Sequence, residues 1–205
     1  GLGSFSASFT FVRSTRGENG LRASSHSTQL ATAKSISDAR LPMAAEWAEW
    51  LADRTSGGSL PQDTVNRQLQ LVIDALVEML GPLRREAKFL WDQVMEHYGR
   101  TAAARGLAAG EVVDEIQQLR LLLIKHIGPT VAAMRPRRSV AVFVRLRTVL
   151  DRGISQAVVG YSDALVASLM MTDRQSAPLT DLTADDVSRQ LAHFEGELAT
   201  IVAKR

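Results

Sequence analysis

The chain contains no cysteine. Disulfides, zinc–thiolate centres and cysteine nucleophiles are therefore excluded. Aromatic residues make up only 5% of it. Alanine, leucine and valine must then supply most of the core, and that mixture favours helix over sheet. Lysine occurs only at positions 34, 88, 125 and 204, and no Walker phosphate loop is present. No apolar run approaches the roughly 20 residues that a membrane span needs. The densest, Leu121 to Ile124, is flanked by Arg120 and Lys125. A charged-then-apolar secretion signal is also lacking, so a cytoplasmic protein is expected. Charge of one sign is scarce as well. Residues 1–40 carry five basic and two acidic side chains, whereas the remaining residues carry 19 and 20. The body is near neutral, which is weak footing for a nucleic-acid surface.

What is present is helical periodicity. The 205 residues are 45% apolar, enough for one domain with a core. Residues 1–40 are rich in Ser, Gly and Thr and lack a stripe, so a flexible or disordered leader is expected there. From Pro42 a short helix begins, with Trp47, Trp50 and Leu51 on one face. Asp63 stands where an N-cap would, ahead of Val65, Leu69, Val72, Leu76 and Leu80. Gly81-Pro82 should stop that helix, with Gly81 in a left-handed closing turn. A helix over 83–104 presents Ala87, Leu90, Trp91, Val94 and Tyr98, and Gly106 closes it. Another, with Glu111 and Asp114 suited to its positive start, presents Val112, Ile116, Leu119, Leu123 and Ile127 and should end at Gly128-Pro129. Residues 135–138 read as a loop. A long helix over 138–171 follows, with Phe143, Leu146, Leu150, Ile154, Ala157, Tyr161, Leu165 and Leu169 in one stripe. One of its ends should project or meet a second copy. A polar connector spans 172–186, with Thr183 and Asp186 resembling a capping box. Val187, Leu191, Phe194, Leu198 and Ile201 form an a/d seam in an amphipathic helix over 187–205. The fold class is all-α: an antiparallel bundle of four to five helices over 41–171, with one long helix and a C-terminal helix of the signalling type.

Few residues suggest chemistry. The histidines, His26, His97, His126 and His193, show no ligand spacing, and the paired Glu-x-x-His of a di-iron bundle is missing. No metal is expected. There is no Gly-x-Ser-x-Gly elbow, and the Gly-rich start follows no strand. No catalytic residue is expected. A globin-like haem sensor would use His97 or His126 as axial ligand, although a lone helical histidine is more often structural. Arg138, Arg145 and Arg152, seven apart, could track phosphates, and a solvated outer face explains them better. Tyr98, Arg120 and Tyr161 lie on or near inner faces and, with His97, are the candidate lining of a ligand pocket. Hydrogen-bonded core residues are the plainer reading.

Two stretches carry a resemblance. Arg105-Gly106-Leu107, then Glu111-Val112-Val113 with Glu115, then Leu119-Arg120, make one run. Leu150, Asp151, Ile154, Val158 and Tyr161 make the other. Together they resemble the RsbRD N-terminal domain family over about residues 44–170. These are bacterial helical input domains of RsbT co-antagonist (stressosome) proteins and of histidine kinases. The resemblance implies an all-α sensory domain that acts through protein contacts, without chemistry or cofactor of its own. The tail, FEGELATIVAKR, looks like the run-in to a kinase phosphoacceptor helix, with Lys204 where the histidine would be. A lysine cannot take the phosphoryl group in that role.

The sequence therefore predicts a non-catalytic sensory or regulatory domain that signals by helix packing. A protein partner, a homodimer first, is expected, with no nucleic acid and no membrane. Any small-molecule ligand is unidentified. The alternatives are a kinase input region without its catalytic part, and the haem sensor.

Overall fold

A computed structural model describes the backbone of residues 16–54, 60–172 and 184–204 and the side chains of 27–54, 60–170 and 184–204. Among the described residues there are seven helices and no strand: α1 Arg16–Asp38, α2 Arg40–Arg54, α3 Gln62–Leu80, α4 Arg84–Ala104, α5 Ala109–Ala132, α6 Pro136–Thr172 and α7 Ala184–Val202. The all-α bundle expected from the periodicity is present.

At the centre lies α3. Its stretch from Leu71 to Leu80 is buried at nearly every position, so it is apolar almost all round, as a helix enclosed by others must be. It packs on α1, α2, α4, α6 and α7. Asp63 lies within its first turn and makes no cap; Pro61 holds the capping position without a side-chain bond. Gly81 is extended (φ −80°, ψ −170°) rather than left-handed. The turn to α4 is then made by Gly81, Pro82 and Leu83.

The flexible-leader expectation for 1–40 is corrected over 16–38, which form α1; residues 1–15 lie outside the described residues. Ala33 and Ile36 are buried in the common core. The hydroxyls that obscured the pattern are used locally. Thr32 donates to the Thr28 carbonyl at 2.9 Å, and Ser35 and Thr130 of α5 share a 3.1 Å hydrogen bond. In α2, Trp47 and Leu51 are buried and Trp50 is partly covered, as the stripe indicates.

The end of α4 is a Schellman turn. The Leu107 N–H donates to the Ala102 carbonyl and the Gly106 N–H to the Ala103 carbonyl. Gly106 has φ +78°, a conformation open to glycine at little cost. Val112, Ile116, Leu119, Leu123 and Ile127 of α5 are all buried. Gly128-Pro129 does not end this helix, which runs on to Ala132 and buries Val131. Pro129 deprives only the Lys125 carbonyl of its helical donor, and Lys125 is exposed to water. Pro136, expected in a loop, is the first residue of α6, where its missing N–H costs nothing.

α4 and α6 run side by side in one direction. Trp91 meets Gly153, Glu96 meets Gly160, and Gly99 meets Ala157 and Tyr161. A Cβ added to Gly99 would sit 1.8 Å from the Ala157 carbonyl oxygen, and one added to Gly160 would sit 1.9 Å from that of Glu96. The two backbones touch where neither residue has a side chain. Arg152 clamps the pair through both oxygens of Asp92, at 2.6 and 2.5 Å. At 37 residues, α6 is about 55 Å long and outruns α4. Exposed apolar side chains lie near both of its ends, Val140 and Val144 at the start and Leu165, Val166, Leu169 and Met170 at the close.

The last helix, α7, folds back onto α3 and α4, and among the described elements it contacts these two alone. Val187, Leu191 and Phe194 are buried; Leu198 and Ile201 are partly so. The expected connector narrows to 173–183, which, with Thr183 of the expected capping box, lies outside the described residues.

Candidate functional site

The Schellman corner places Arg105 over the buried flank of α5. Glu115 lies among Val112, Ile116 and Leu119, on the face that enters the core. Its carboxylate is 5% exposed and the Arg105 guanidinium 6%. Arg105 reaches it with two donors, at 3.1 and 2.8 Å. The Tyr98 hydroxyl donates to the same carboxylate at 2.6 Å. Burial first, and then the Glu115 charge, push the Tyr98 phenol well above its ordinary value, so it stays protonated and remains a donor. The Tyr98 ring stacks on Trp47 of α2 at 5.8 Å. Tyr98 is thus fully engaged by protein groups and ties α2, α4 and α5 together. Glu111 lies at the start of α5 and accepts from the Ala108 N–H at 2.7 Å, the helix-start role its position suggests.

The other candidates lie apart from this cluster. Arg120 donates to Asp151 of α6 at 2.5 Å, a carboxylate it shares with Arg147. Tyr161 is partly buried where α6 meets Gly99. The structure therefore does not gather Tyr98, Arg120, Tyr161 and His97 into one pocket. One open groove, about 240 Å³ in volume, lies between the start of α4 and the end of α7, lined by Glu86, Phe89, Leu90, Glu197, Thr200 and Ile201.

His97 stands out. It is 3% exposed, and its Nε2 has no hydrogen-bond partner. Phe194 of α7 packs edge-on against the imidazole at 5.6 Å. Burial first, and the nearby Arg100 second, lower its pKa from 6.5 to about 4, so the ring is neutral near pH 7. Beside it, Gln68 of α3 donates to the Thr101 hydroxyl, which donates to the Tyr98 carbonyl, each at 2.8 Å. An iron bound to His97 in the manner of a haem sensor would have to displace Phe194. His126 is bound to Glu46 at 3.0 Å, next to Lys125. Contacts first with Lys125, opposed by burial and helped by His126, lower the Glu46 pKa.

Polar contacts help hold the seat of α7, among them a hydrogen bond from Arg67 to the Ser188 carbonyl at 3.5 Å. Arg67 of α3 grips both oxygens of Glu195 at 2.6 and 2.5 Å. That bond first, against burial, raises the Arg67 pKa. Of the arginine row, Arg152 is taken by Asp92, and Arg145 turns inward toward the Gly81 carbonyl at 3.4 Å, so the row is not one open face. Among the described residues, no group of three or more His, Asp or Glu is placed to hold a metal, and no helix is long and apolar enough to cross a membrane.

Sequence reasoning missed Glu115 and Arg105 as partners. Their signal was an acid inside an apolar stripe, with a single arginine at the preceding corner. The pairing of His97 with Phe194 had no local signal, because 97 positions separate them. Comparison with protein-family models, with curated proteins and with solved structures finds no match.

Proposed function

We propose that this chain is a non-catalytic regulatory domain of the cytoplasm, which passes a signal by changing the packing of α7 on a fixed α3–α4–α6 core and by contact with a protein partner. The RsbRD-like corner fits such an input role. In this reading the corner residues Arg105, Glu115 and Tyr98 are structural, since the Glu115 carboxylate takes the Tyr98 hydroxyl and both terminal nitrogens of Arg105.

The observation that carries the reading is the uneven fastening of the helices. α4 and α6 meet backbone to backbone through glycines, a contact with one geometry. Among the described elements α7 touches two helices and is held by three buried side chains, by the partly buried Leu198 and Ile201, and by Arg67 on the half-exposed Glu195 and the Ser188 carbonyl. Such an element opens at lower free energy than the core. A helix with two positions of similar energy is what a packing signal requires.

Native-state hydrogen exchange tests this at neutral pH. The α7 amides should exchange through a partial opening that leaves α3 and α4 protected. If α7 exchanges only together with α3 and α4, by global unfolding, the regulatory reading is lost.

A further inference from the structure

The signal that moves α7 can be narrowed further, given that regulatory reading. His97 is a basic group sealed under a removable helix. Its Nε2 faces no acceptor, and its ring is covered by Phe194 of α7. A proton arriving there has no anion to meet and cannot be hydrated while α7 is seated. Once α7 lifts, water reaches the ring and the proton is accepted freely.

We propose that His97 is a proton-sensing site at the α4–α7 interface, whose protonation holds α7 in a released position.

The groups around it do not cancel the effect. On α4, Arg100 repels a second positive charge and pairs with Glu96 at 3.9 Å. From α7, Glu195 is committed to Arg67 of α3, and His193 and Glu197 pair with each other at 3.5 Å, both largely exposed or half-exposed. From α3 come the neutral amide of Gln68, already donating to Thr101, and Asp74, bound by Arg40. α5 contributes Glu115, which Tyr98 and Arg105 engage, and α6 contributes Tyr161 beside Gly99. None of them meets the Nε2, which has no hydrogen-bond partner.

The sign follows from the two proton affinities. The seated ring has its pKa lowered to about 4, and the released ring returns to its ordinary 6.5. The seated form binds fewer protons, so seating is strongest above pH 6.5 and weakens steadily down to about pH 4. Between pH 7.5 and pH 5 the released fraction should rise about 30-fold from this one group.

The absence of native cysteine makes the test direct. Val187, on the buried face of α7, is replaced by cysteine in the full chain. The rate of its modification by a thiol reagent is measured from pH 7.5 to 5, each rate divided by that of the same chain in denaturant. The expected result is a rise about 30-fold larger with His97 than in His97→Gln or in His97→Phe, two non-titrating variants of different shape. Carboxylates that weaken the seat on acidification act equally in all three, so the difference isolates His97. A flat profile with His97 present, or a rise that both replacements leave undiminished, overturns the proposal and leaves the regulatory reading standing. Modification that occurs only at the rate of global unfolding overturns both.

Discussion

Glu115 carries two obligations in a place without water. It receives a hydroxyl and a guanidinium, and its removal leaves the latter buried and unpaired. Glu115→Ala should therefore cost about 3–5 kcal/mol. Tyr98→Phe removes one donor to a carboxylate that keeps its arginine, at about 1.5–3 kcal/mol. Replacing both charges, as Arg105→Met with Glu115→Leu, should cost less than Glu115→Ala alone, because no charge is stranded. Urea denaturation of the four proteins ranks them; an order with Tyr98→Phe as the worst would show that the ion pair does not hold the corner. The sequence displays these residues without their bonds. Glu111 was legible because its partner, the backbone of a helix start, is always three residues away. Tyr98 and Glu115 were named without being joined, because their contact depends on how two helices face each other across the Gly106 corner.

Between elements, what the sequence shows best is a stripe buried on one side. All five residues expected of α5 are in the core. It shows least where backbone rather than side chain makes the contact. α1 hides behind serine and threonine, whose hydroxyls are hydrogen-bonded within the protein, and among its described side chains Ala33 and Ile36 are the buried apolar ones. The α4–α6 seam is written in glycines that a periodicity reading passes over. Their roles separate experimentally. Gly160→Ala drives a methyl into the Glu96 carbonyl; neither backbone can yield without moving its helix, and a loss of about 1–3 kcal/mol or more is expected. Gly128→Ala, also helical, meets nothing within 4 Å and should gain about 0.5–1 kcal/mol from reduced chain entropy. Thermal unfolding of the two variants checks the pair. Equal effects would mean that α6 does not approach α4 as closely as this geometry requires.

For the molecule as a whole, the remaining question is what the far end of α6 does. Val159, Leu165, Val166, Leu169 and Met170 are 39–70% exposed and recur along one side of the C-terminal half of the helix. Asp163 is the one charged residue from Ser155 to Met170. A stripe with so little charge offers no pattern for choosing an oppositely charged partner, and an isologous contact across a two-fold axis would set it against its own copy. A second copy is therefore the occupant we propose, in line with the partner expected of an input domain. Five exposed side chains are far fewer than the roughly 20–30 residues a side of a stable complex. The dimer should then be weak. Light scattering should show monomer at low concentration and a rising dimer fraction at high concentration. Leu169→Ser with Met170→Ser should abolish that rise without lowering the unfolding temperature, because both side chains already face solvent in the single chain. Monomer at every concentration would remove the second copy from the mechanism and leave α7 as the means by which a partner is engaged. A dimer untouched by the double substitution would place the contact elsewhere on the surface.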